Sequence, residues 1–165
     1  MSSLTVLLVD DNGAVRACLR DALEVAGFAV LEAADATAAL TIAATARRPI
    51  EILLTDVLMP GIDGTELARR VQRLRPETGV LYMSGCSEAE LAARGLLVDG
   101  TAFLAKPFGP NVLLDRLRNV ARTGSRPQAF ATEGHDARGT SAVTLVDGVL
   151  SREHRAGRGT DAKRR

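Results

Sequence analysis

The chain has 165 residues, with 21 Lys and Arg against 20 Asp and Glu and a formal net charge of +1. That length suits one domain able to bury a proper core. No apolar run is long enough to span a membrane, and Met1-Ser2-Ser3-Leu4 carries no basic n-region or signal-peptide core, so a cytoplasmic location is expected.

From the N-terminus, strand-like runs fall near 4–9, 28–32, 51–56, 79–84 and 101–106. Helical patterns fill the intervals near 13–26, 36–47, 64–74, 87–95 and 110–122. In the first helix Val15, Leu19, Ala22, Leu23 and Ala26 keep the spacing of one buried stripe, and Gly27 stands where a helix C-cap belongs. Leu67, Val71 and Leu74 repeat the stripe in the third helix, and Leu113, Leu117 and Val120 in the fifth. Short apolar runs separated by helices read as buried parallel strands. Five βα units give an α/β fold, an open parallel sheet covered by helices on both faces. Right-handed crossovers place all five strand C-termini at one edge.

Composition changes after Arg122. Residues 123–165 carry eight Lys or Arg against five Asp or Glu, whereas the preceding 122 carry thirteen against fifteen. A segment this polar cannot offset the entropy of ordering itself, so a disordered tail is expected over 123–165, after a domain over 4–122. Within the tail, Val143–Leu150 is apolar enough for a transient strand or a docking peptide. The terminal Lys163-Arg164-Arg165 reads as a solvated basic end. Cys18 and Cys86 lie in different elements without metal-ligand spacing, so neither a disulfide framework nor a zinc site follows; Cys18 reads as a small helix residue, and Cys86, just after Ser84, leaves a redox role open.

The chemistry gathers at the strand ends. Apolar runs lead directly into Asp10-Asp11, Asp56, Ser84 and Lys106. Ligands of open α/β sheets bind beyond the carboxyl ends of the strands, so the three acids, the hydroxyl and the ammonium should converge. Two carboxylates at ~4 Å in an effective dielectric of ~20 repel by about 4 kcal/mol. A divalent cation relieves this, and hard oxygen ligands suit Mg²⁺. Metal, carboxylate, lysine and hydroxyl together make a site for a phosphoryl group. Asp56 is the candidate nucleophile, able to form an acyl phosphate. Asp10, Asp11 and Asp56 would hold Mg²⁺, Lys106 would act as a point charge, and Ser84 would donate to a phosphoryl oxygen. Each residue also has a plainer reading. Asp11 could cap the first helix, Ser84 could cap the fourth (although Ser87 with Glu90 makes the better capping box), Asp56 could be a turn residue and Lys106 a solvated side chain. Their joint occurrence at the ends of strands one, three, four and five favours the site.

Taken in order, Val9-Asp10-Asp11, Thr55-Asp56 with Met59-Pro60-Gly61 and Asp63-Gly64, Met83-Ser84-Gly85 and Phe103-Leu104-Ala105-Lys106-Pro107-Phe108 resemble the receiver domain of bacterial two-component response regulators, of the stand-alone type. The resemblance covers about residues 4–122. It implies a flavodoxin-like (βα)5 sandwich with strand order 2-1-3-4-5. It implies transfer of a phosphoryl group to Asp56 from a sensor histidine kinase or phosphotransfer protein, with the main-chain carbonyl of Leu58 joining the three acids around Mg²⁺. It implies a cis Lys106–Pro107 bond, and it casts Ser84 and Phe103 as a switch pair that reports to a downstream protein.

A switch also follows from the chemistry. Phosphorylation adds about −1.5 to −2 charges. If Ser84 is drawn toward the new oxygens, Phe103 can fill the space behind it, and the face of the fourth helix, fifth strand and fifth helix changes shape. The plain alternative for Phe103 is a core aromatic.

No helix-turn-helix pattern appears in the tail, so direct DNA binding is not expected, nor is membrane association; a monomer or weak dimer is. Two other functions compete. A pseudo-receiver would bind protein without being phosphorylated, and the intact acids and Lys106 argue against it. A haloacid-dehalogenase-like phosphatase would need a second acid two residues after the nucleophile, where Leu58 stands. Nucleotide enzymes are disfavoured because the phosphate-binding glycine motifs are missing.

Overall fold

The computed structural model describes residues 3–96 and 101–123. Strand and helix alternate through β1 (Thr5–Val9), α1 (Gly13–Val25), β2 (Ala29–Ala33), α2 (Ala36–Thr45), β3 (Ile52–Asp56), α3 (Gly64–Leu74), β4 (Gly79–Ser84), α4 (Glu88–Ala93), β5 (Phe103–Ala105) and α5 (Pro110–Thr123). These are the ten expected elements, with ends moved by one or two residues. β5 is the most shortened, losing Thr101 and Ala102 at its start and Lys106 at its end. The proposed tail, with its 143–150 segment and basic terminus, lies outside the described residues apart from Thr123, which completes α5.

The sheet has the order β2-β1-β3-β4-β5, and every neighbouring pair is parallel. This is the flavodoxin-like arrangement. β1 and β3 are buried at every position, which is why they read as unbroken apolar runs rather than alternating ones. Their side chains still alternate between two cores. Val6, Leu8, Ile52, Leu54, Leu81, Met83 and Leu104 pack against Leu19 and Leu23 of α1 and Leu113, Leu117 and Val120 of α5. Leu7, Val9, Leu53, Val80 and Tyr82 pack against small alanines of α2, Leu67 and Val71 of α3, and Leu91 of α4. Each fully buried aliphatic side chain contributes about 1.5–3 kcal/mol of transfer free energy.

The helix ends refine the expectations. Asn12, rather than Asp11, caps α1, accepting from the N–H groups of Ala14 and Val15. The cap at the other end is Ala26, and Gly27 follows it at φ +88°, the left-handed position that commonly closes a helix. Ser87 and Glu90 form the capping box of α4, so Ser84 is left out of that role. Leu74 does not continue the buried stripe. It is 52% exposed and lines an open groove with Leu40 and Ile62. Among the described residues no helix is long and apolar enough to cross a membrane.

Candidate functional site

Because all five strands run parallel, their C-termini share one edge. The alternation that sends Val6 and Leu8, Ile52 and Leu54, and Leu104 toward α1 and α5 carries on into the loops. Two residues later it presents Asp10, Asp56 and Lys106. The β1–β3 register sets Leu8 opposite Leu54, which brings Asp10 level with Asp56.

Asp10 is fully buried and held at four points. Its N–H donates to the Ala33 carbonyl, 3.4 Å, and its own carbonyl accepts from the Arg16 guanidinium at 2.6 Å. Its Oδ1 accepts from the Asn12 N–H at 2.8 Å, and its Oδ2 from Lys106 Nζ at 2.8 Å. Asp56, 9% exposed, accepts at Oδ1 from the Leu58 N–H, 3.0 Å, and at Oδ2 from the same Lys106 Nζ, 2.8 Å. Asp11 is exposed, yet one carboxylate oxygen from each of Asp10, Asp11 and Asp56 falls within 4.8 Å of the others.

Electrostatics decides what such a site accepts. Burial works to lower the Lys106 pKa, but the hydrogen bonds and charges of Asp10 and Asp56 outweigh it and leave the ammonium above its ordinary value. Lys106 is therefore a cation across the physiological range. Three carboxylates against one ammonium leave two negative charges at one crevice. An all-oxygen donor set with that residual charge fits a hard divalent cation.

Ser84 sits at the same edge, directly after Met83, the register partner of Asp56. It is buried, and its Oγ accepts from the Cys86 N–H at 3.2 Å. Among the described residues no hydrogen bond links it to the acids. Asp10, Asp56 and Lys106 thus meet in contact, with Asp11 within 4.8 Å of the other two acids and the hydroxyl at the same sheet edge. Phe103 is half-buried against the α2–α3–α4 core and pairs in register with Tyr82. The Lys106–Pro107 bond is cis.

A family model, the response regulator receiver domain, matches residues 6–118. The chain belongs to that family. Among proteins similar to this receiver is the phosphate regulon transcriptional regulatory protein PhoB of Pseudomonas aeruginosa, 35% identical over 124 residues, 74% of this chain and 53% of that protein. Another is the sensor kinase CckA of Brucella abortus, 39% identical over 119 residues, 72% of this chain and 12% of that protein. The chain spans about half or less of the length of the curated relatives it matches. Among solved structures, the chemotaxis protein CheY4 of Vibrio cholerae superposes with a TM-score of 0.64 at 33% identity, covering 72% of this chain and 99% of that one.

Two supports of the receiver site escaped the sequence reading. A methyl group added at Gly64 would lie 2.1 Å from the Asp56 carbonyl oxygen. Only glycine lets α3 start this close beneath β3, where the Gly64 N–H donates to the Val57 carbonyl at 2.8 Å. The signal was there in Asp63-Gly64, a cap followed by a poor helix former. Arg16 is the other. Its place on α1 gave no sign that it reaches back to the Asp10 carbonyl.

Proposed function

We propose that this receiver domain, residues 4–122, takes a phosphoryl group onto Asp56 and passes the signal to a protein partner. The single observation carrying this is the Lys106 ammonium, 2.8 Å from both Asp10 Oδ2 and Asp56 Oδ2, with Asp11 completing the acidic cluster. A carboxylate oxygen of Asp56 bonds to phosphorus as the bond from phosphorus to the donor's imidazole nitrogen breaks, and the electron pair stays on that nitrogen. The donor is the phosphohistidine of a sensor kinase or phosphotransfer protein.

Asp10, Asp11, Asp56 and the Leu58 carbonyl would hold Mg²⁺, which when bound neutralises charge on the phosphoryl oxygens. Lys106 donates to one of those oxygens, and Ser84 turns from the Cys86 N–H to another. Phe103 follows into the space behind Ser84, changing the α4–β5–α5 face that a downstream protein reads. The domain acts in signalling, and the only chemistry assigned to it is its own phosphorylation and slow dephosphorylation.

The test is incubation with Mg²⁺ and a small acyl-phosphate donor, read by intact mass. One phosphoryl adduct is expected, absent in Asp56→Asn. No adduct with any donor would instead support a receiver that binds without phosphorylation.

A further inference from the structure

We propose that Arg16 is a positioning residue for the metal ligands, fixing the peptide between Asp10 and Asp11. The inference rests on the reading above that the acids hold Mg²⁺. Asp10 needs little help from its neighbours to stay in place, since its N–H and both carboxylate oxygens are already bonded. Asp11 is held less directly: the Asn12 N–H bond to Asp10 Oδ1 closes the backbone after it, but it is exposed and its carboxylate makes no hydrogen bond among the described residues. What fixes its direction is the preceding peptide plane, and the group holding that plane is the Arg16 guanidinium, 2.6 Å from the Asp10 carbonyl oxygen.

Arg16 is itself anchored. Its Nε lies 3.5 Å from Glu32 Oε2 on β2, and the Glu32 carboxylate also accepts from Arg20 at 3.3 Å. The Arg16 side chain is only one-fifth exposed. A planar guanidinium can serve a carbonyl and a carboxylate together through separate N–H groups, whereas an ammonium is a compact point charge. The chain from Glu32 through Arg16 to Asp10 therefore ties β2, α1 and the end of β1 into one frame around the acids.

The sign of the effect separates positioning from simple charge. By Coulomb's law, deleting a cation beside an acidic cluster should tighten Mg²⁺ binding. Loss of a residue that orients a ligand should weaken it, by on the order of tenfold. Calorimetric titration of the full chain with MgCl₂ gives the affinity, and thermal unfolding monitors the fold separately. Arg16→Met is expected to bind Mg²⁺ about tenfold more weakly than the wild type. Arg16→Lys keeps the charge but loses the fork, and is expected to fall between the two. Either variant, folded and binding Mg²⁺ as tightly as the wild type or more so, overturns the proposal. If the wild type binds no Mg²⁺, the metal reading fails and this inference falls with it.

Discussion

The first residue of α3, Gly64, packs against the backbone of Asp56 so closely that a Cβ there would stand 2.1 Å from the Asp56 carbonyl oxygen and 3.0 Å from the Val57 Cα. The obstacle is backbone, which has no rotamer to yield. Gly64→Ala must therefore push α3 away from β3 or displace Asp56. A destabilisation of about 1–3 kcal/mol is expected, the usual cost of overpacking. Chemical denaturation measures it, and phosphorylation of the folded variant from an acyl-phosphate donor should be slowed. An unchanged denaturation midpoint would mean that the β3–α3 loop absorbs the methyl group.

Tyr82 gives a pH test of the core beside the site. Burial is the chief cause raising its phenol from 10.0 to about 12, the Asp63 charge adds to it, and Arg69 works the other way. The folded-state pKa lies above the unfolded one. The stabilisation this carries is thus fully present below about pH 10 and is lost as the pH rises toward 12. The chain has one Tyr and no Trp, so the phenolate absorbance belongs to this residue alone. In denaturant the phenolate should appear near pH 10, and in the folded chain close to 12. Ionisation near pH 10 with helical circular dichroism intact would contradict the burial account.

Much of this molecule was written in its patterning, and the exceptions are local. Leu19, Leu23, Leu113, Leu117 and Val120 are buried as their spacing demanded because repeating stripes and strand runs report a continuous core. The acids and Lys106 could be placed together because parallel topology alone sends strand ends to one edge. Leu74 breaks the stripe at the last residue of α3, where it lines an open groove instead of the core, a boundary that periodicity does not mark. Asn12 took the cap from Asp11 because α1 starts one residue later, leaving the Ala14 and Val15 N–H groups for the Asn12 side chain. Arg16 and Arg75 act through backbone carbonyls outside their own helices, and nothing in residue type or spacing says which carbonyl a guanidinium will find.

Arg75 is the strongest such case. It ends α3, and its guanidinium donates to the carbonyls of Ala43 at 2.6 Å, Arg48 at 3.2 Å and Ala46. Ala46 is the C-cap of α2, so the side chain of one helix satisfies the open carbonyl end of another. Arg75→Met should cost about 1.5–3 kcal/mol, the range for hydrogen bonds that involve a charged group, seen as a fall of several degrees in the thermal midpoint. Amide exchange should quicken at the end of α2 and little in α5. A uniform change across the domain would argue against a local staple.

Leu58 bears on how long the proposed phosphoryl group survives. It lies two residues after Asp56, donates its N–H to Asp56 Oδ1 at 3.0 Å, and is 37% exposed. Hydrolysis of an aspartyl phosphate needs a water directed at phosphorus, and an isobutyl side chain offers that water no hydrogen bond. Leu58→Asn keeps the backbone donor and adds an amide that can orient the water. One net hydrogen bond is worth about 1 kcal/mol, which makes dephosphorylation roughly fivefold faster. The decay of the phosphoryl adduct after removal of the donor, followed by intact mass, measures the rate. A decay unchanged or slower in Leu58→Asn would show that the water is governed by groups other than the side chain at this position.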